Sequence, residues 1–194
     1  MNFQGALRFA NGTLREVFPG LGAASHGLNY TAFRALEVVS MEQLTRAQFD
    51  QHYTFEYLRE LSVFGALDQS FVGHLLEQCE IYRTEPGDLL FEDGQAPKGF
   101  YIQIHGDSTL YCGRQLKNQI VNVLRPGECV GFISMLSMNP VIGDVTPTAG
   151  AVVLHISDAL FASLPEIDGE QSFILLMNLT RNICRAYIKH AVQE

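Results

Sequence analysis

The sequence predicts an α+β, mainly β, fold: a double-stranded β-helix jelly-roll barrel over about residues 80–156, with helices before it and a long C-terminal helix after it. Three observations predict this class. Between Ile81 and Ile156, short β-rich runs follow one another closely, as an antiparallel jelly roll demands. Gly87, Gly94, Gly106, Gly127 and Gly131 stand in register with those runs, and each can take the positive φ of a tight corner. On both flanks the apolar spacing changes to the three-four period of helices.

In chain order, Ala6 to Phe18 places Asn11-Gly12 between partly alternating apolar residues, the pattern of a small hairpin, and Gly20 to Gly27 reads as a loop. Asn11-Gly-Thr13 has the form of a glycosylation acceptor, but no secretory signal is legible and a plain turn is the better reading. Phe33, Leu36, Val39 and Met41 suggest a first helix. Thr45-Arg-Ala-Gln48 has the capping-box form ahead of Phe49, Tyr53, Tyr57 and Leu58, and Asp68 caps a helix carrying Phe71, Val72, Leu75 and Leu76. The expected division is an N-terminal extension, residues 1–54, and a main domain, residues 55–194.

The barrel strands are expected at Ile81–Thr84, Asp88–Glu92, Phe100–His105, Ser108–Cys112, Gln119–Leu124 and Val152–Ile156. Between the last two lies the stretch that organises the chain. Pro126-Gly127 is a turn, Val130 to Phe132 begins a buried segment, and Ile133 to Leu136 is too short for an independent helix, so the strands must hold it. Free N–H groups at the start of such a turn have the form of an anion cradle. Pro140 closes the loop, which re-enters a strand at Val145. Ser157 can cap a short helix, Pro165 is expected to break the chain, and a final helix runs from about Asp168 to Ala191. In that helix Phe173, Leu176, Thr180, Ile183 and Tyr187 keep three-four spacing, with Ile174, Met177, Cys184 and Ile188 widening the stripe. One face can lie on the barrel while another remains to be covered.

Gly131-Phe-Ile-Ser-Met-Leu-Ser-Met-Asn-Pro-Val-Ile-Gly-Asp-Val145 resembles the phosphate-binding cassette of the cyclic-nucleotide-binding domain family, which reads Gly-Glu-Leu-Ala-Leu, a few residues, then Pro-Arg-Ala-Ala-Thr-Val. Leu58 to Asp68 is similar to the helix ending in Phe and Leu that precedes the barrel in that family, and the resemblance runs from near Phe55 to about His190. It implies that Gly131, Phe132, Ile133, Ser134, Ser137, Pro140, Val141 and Ile142 line the ligand position. Two of them depart from the family pattern: Phe132 stands where a Glu accepts from the ribose hydroxyl, and Val141 where an Arg pairs with the cyclic phosphate. From Pro126 to Thr180 there is no Lys or Arg at all. Each hydrogen bond to a charged group contributes about 1.5–3 kcal/mol, so losing both should weaken cyclic-nucleotide binding by about 100-fold or more. Arg114 and Lys117, in the turn before Ile120, are the nearest replacement cations. If the frame is intact, Val141→Arg with Phe132→Glu would move the pocket toward binding.

Other chemistry fares worse. The net charge of −8 and only 13 Lys and Arg argue against nucleic-acid binding. No apolar run approaches the roughly 20 residues of a membrane helix. Cys79, Cys112, Cys129 and Cys184 form no Cys-x-x-Cys pair, which reads as a reduced, cytoplasmic protein. A metal-binding cupin would need His-x-His where this chain has only His105, followed by Gly106 and Asp107. No nucleophile elbow or phosphate loop is present, so no enzymatic activity and no cofactor are expected.

Two readings survive. In one, the barrel is a non-enzymatic interaction or scaffolding module in which Phe132, Val141 and Ile142 fill the old pocket. In the other, it remains a sensor that holds a cyclic nucleotide or other messenger through backbone N–H groups, Ser134 and Ser137. The resemblance also implies a homodimer through Phe173, Leu176, Thr180, Ile183 and Tyr187, as in catabolite-activator relatives, whose DNA-reading domain would follow that helix. A protein partner completes the expectation.

Overall fold

The structure, a computed structural model of the 194-residue chain, describes residues 41–111 and 120–191. The expected hairpin at Asn11-Gly12, the helix of Phe33, Leu36 and Val39, and the cations Arg114 and Lys117 lie outside the described residues.

The first described element is a strand, β1 (Glu42–Leu44). It leads into α1 (Arg46–Asp50), where the Thr45 hydroxyl accepts from the Gln48 N–H and the Gln48 side chain accepts from the Thr45 N–H, the reciprocal box expected there. Thr54 caps a separate α2 (Phe55–Glu60), so the series Phe49, Tyr53, Tyr57, Leu58 spans two short helices. Asp68 occupies the N-cap position of α3 (Gln69–Gln78), but its carboxylate does not cap that helix. It accepts instead from the Gln171 side-chain amide Nε2 at 3.1 Å, while the Asp68 N–H donates to the Gln171 side-chain Oε1 at 2.8 Å.

The remaining strands are β2 (Glu80–Arg83), β3 (Gly99–His105), β4 (Ser108–Tyr111), β5 (Ile120–Leu124), β6 (Cys129–Val130), β7 (Asp144–Pro147) and β8 (Val152–Ser157). They form two antiparallel sheets, ordered β1-β2-β8-β3-β6 and β5-β4-β7. The chain changes sheets four times, from β3 to β4, β5 to β6, β6 to β7 and β7 to β8, which is the jelly-roll pattern. All five glycines expected at corners have positive φ.

The sheets do not close into one barrel among the described residues. β6 is only two residues long because Gly131 turns the chain into a helix. On the other side, Asp88–Glu92 is a loop rather than the expected strand, touching the small sheet through one bridge, Phe91 to Val145. The buried Asp88 carboxylate accepts from the Glu85 N–H at 2.6 Å and holds a turn there, which prevents extension.

The five-stranded sheet is apolar on both faces. Ile81, Phe100, Ile102, Ile104, Leu154 and Ile156 pack on the helices in the larger core. Val153, on the opposite face, meets Leu124 and Val145 of the small sheet, with Leu90, Phe91 and Val141 completing the smaller core.

Ser157 caps α5 (Asp158–Ile167), accepting from the Leu160 N–H at 3.1 Å. Pro165 does not break the chain. It lies in the last turns of α5, where a missing N–H forfeits one intrahelical bond and the helix runs on to Ile167. The break falls at Asp168, which is extended and whose carboxylate accepts from the Gln171 N–H at 3.0 Å, starting α6 (Gly169–Ala191). The inner face of α6 is as polar as it is apolar. Leu175 and Leu179 enter the core, while Asn178 donates to the Val63 and Gly65 carbonyls and Asn182 to the Gly127 carbonyl and the Ser62 hydroxyl.

Candidate functional site

The cassette begins at Gly131, whose backbone is left-handed at φ 89. A Cβ there would stand 2.5 Å from the Phe91 ring, so only glycine lets the chain lie on that ring as it turns into α4 (Phe132–Ser137). The first residue of α4 points inward. Phe132 is 1% exposed, with its ring 5.0 Å from Phe100 and 5.4 Å from Phe161, both edge-on, so β3, α4 and α5 meet in one aromatic cluster. On the outer side Ile133 and Leu136 are exposed, and Met138 ends the helix in a left-handed conformation. Asn139 closes the turn by donating its N–H to the Ser134 carbonyl, to which the exposed Ser137 hydroxyl also donates at 3.4 Å.

After the exposed Pro140 the chain turns inward again. Val141 is 4% exposed and belongs to the smaller core; its N–H donates to the Gln95 carbonyl and its carbonyl accepts from the Gly94 N–H. Ile142 is exposed. Gly143, at φ 93, donates its N–H to the Asp93 carboxylate at 2.8 Å, and the Asp144 carboxylate accepts from the Asp93 N–H at 2.9 Å. This reciprocal pair ties the Glu92–Gln95 loop to the end of the cassette through two carboxylates.

The eight candidate ligand residues therefore do not converge. Phe132 and Val141 are buried in separate cores, Ile133, Ser137, Pro140 and Ile142 face outward, and Gly131 and Ser134 lie between. Of the five on α6, Phe173, Leu176, Thr180 and Tyr187 are exposed, whereas Ile183 packs against the larger core. The outer stripe is continued by Cys184 instead. The Gln171, Asn178 and Asn182 contacts escaped the sequence reading, because amides on a helix are ordinarily assigned to water.

His155 meets Glu80 at 2.7 Å and stacks on Tyr101, whose hydroxyl is pushed up to about 12, chiefly by burial. Burial likewise pushes the Cys79 and Cys129 thiols up to about 12. Among the described residues no cluster of three His, Cys, Asp or Glu is placed to hold a metal ion. Nor is any described helix long and apolar enough to cross a membrane.

Residues 81–168 match the family model of the cyclic nucleotide-binding domain. The chain is 21% identical over 140 residues to the potassium channel AKT1 of Oryza sativa subsp. indica, covering 72% of this chain and 15% of the channel. It is 28% identical over 98 residues to the HTH-type transcriptional regulator Cmr of Mycobacterium tuberculosis, covering 50% of this chain and 40% of the regulator. The chain thus spans well under half of these curated relatives. A crystal structure of a cyclic nucleotide-binding domain from Methylobacillus flagellatus superposes with a TM-score of 0.64 at 16% identity, covering 79% of this chain and 89% of that one. This last likeness shows the fold.

Proposed function

We propose, from the premise that residues 81–168 belong to the cyclic nucleotide-binding domain family, that the chain is a non-enzymatic regulatory module whose barrel works by protein interaction and not by binding a cyclic nucleotide. One observation carries this reading: the two positions that should recognise ribose and phosphate are core residues, Phe132 and Val141, both buried. A phosphate at the cassette would surrender hydration without a charged partner from either position. Calorimetry with cyclic AMP and cyclic GMP on the full chain is expected to show no heat at micromolar concentrations. A micromolar dissociation constant for either would overturn the reading, and its loss on Arg114→Ala or Lys117→Ala would locate the charge responsible.

The module comprises residues 55–194 together with β1 and α1, whose Leu44 and Phe49 share its core. The free, unreactive Cys79 and Cys129 suit a reducing cytoplasm. We assign the exposed stripe of Phe173, Leu176, Thr180 and Tyr187 to a homodimer, since large apolar side chains at helical spacing seek a cover. Leu176→Glu with Tyr187→Glu should then give folded monomers by light scattering. If the unmodified protein already scatters as a monomer, the assignment is wrong.

A further inference from the structure

We propose that the groove between α6 and the Gly65–Ala66 turn docks an acidic amphipathic helix of a partner protein. The inference deepens the interaction-module reading by naming where, and to what chemistry, the module binds. The groove holds about 530 Å³ and is walled by Gly65, Ala66, Ile174, Met177, Asn178 and Arg181, with the exposed Phe173 at its mouth. It is distinct from the Thr180 and Tyr187 stripe, since Ile174 and Arg181 lie about a third of a turn round the helix from those residues. A second copy packed on that stripe would share only Phe173 with the groove.

Its floor is apolar, so its occupant must bring apolar knobs at helical spacing. Charge decides the rest. Between Gln171 and Gln193 the chain has Arg181, Arg185 and Lys189 and not one Asp or Glu, although it carries 21 acidic residues against 13 basic ones overall. Arg181 is steered by the Asn178 carbonyl oxygen at 3.1 Å, which fixes it at the groove wall, and Arg185 follows one turn on. The nearest acid of the facing segment, Asp68, is bonded to Gln171. This helix thus presents a cationic edge beside an apolar trough. The complementary ligand is a helix with carboxylates flanking an apolar face; a basic helix would be repelled.

The test uses the full chain and two synthetic helical peptides that share one leucine face, flanked by glutamates in one and by lysines in the other. The glutamate peptide is expected to bind at least about tenfold more tightly at low salt, and to lose most of that advantage at about 1 M salt, where charges beyond about 3 Å are screened. Arg181→Glu with Arg185→Glu should reverse the preference; both side chains are exposed, so the variant remains folded. Carbon-13 methyl spectra should show Met177 shifting on binding while Met138, on the cassette, does not. Equal binding of both peptides, binding of neither, or a shift that spares Met177 would overturn the proposal. So would a homodimer dissociated by Met177→Glu, which would place a second copy in the groove. A cyclic-nucleotide titration that gave binding would remove the interaction-module reading without altering any of these outcomes.

Discussion

Phe132→Ala is expected to lower the free energy of unfolding by about 3–5 kcal/mol, the range for truncating a fully buried Phe, and the melting temperature by on the order of 10 °C. The ring is one of three that touch pairwise, with Phe100 and Phe161, so its removal leaves a cavity between β3 and α5 that the remaining two rings cannot fill. Urea unfolding followed by circular dichroism measures this directly. A loss below about 1 kcal/mol would mean that the ring is not structural and that the cassette can open. The same burial revises the expected rescue: Phe132→Glu with Val141→Arg would place a carboxylate among aromatic rings and a guanidinium in the smaller core, and should unfold the domain before it creates a pocket.

Gly143→Ala should be worse still. The backbone there is left-handed at φ 93, which strains any residue with a Cβ, and the added methyl would overlap the Tyr111 carbonyl oxygen. Relief would require β4 and β7 to part at the Tyr111–Asp144 pair, where their ladder begins. The expected cost is on the order of 4–5 kcal/mol, enough to abolish the cooperative thermal transition. Gly94→Ala is the control. It has a similar φ of 81 but nothing within 4 Å of the new Cβ, so it should cost only the conformational strain of about 1–2 kcal/mol. If the two variants melt together, the overlap at Tyr111 is not what Gly143 avoids.

The fold was legible because it is written in backbone requirements. Positive-φ corners need glycine, and the capping box at Thr45 needs its two polar side chains three residues apart, so both are visible as residue types at fixed places. The strand at Glu42–Leu44 was not, since three residues are too few to show a period and Met41 also fits the helical spacing before it. Pro165 misled because proline is costly mid-helix but cheap near a helix end, and spacing does not say which end is near. At the cassette, the sequence showed that Phe132 and Val141 lack the expected chemistry. Only packing shows that they are held in two different cores, and that the Asp93 and Asp144 carboxylates accept backbone N–H groups where the cassette ends. On α6, Ile183 belonged to the right series but the wrong side, because a wide apolar stripe does not fix which edge is turned inward.

The amide contacts of Gln171, Asn178 and Asn182 also set how α6 comes away. Directional bonds to the Val63, Gly65 and Gly127 carbonyls allow one axial register only, since a slide by one residue would misalign all of them together. Yet each such bond is worth only about 1 kcal/mol net, because water replaces it when the helix lifts. α6 is thus sharply indexed and lightly fastened, and its stretch beyond Asn182, mostly exposed, is placed to open on its own while the jelly roll stays intact.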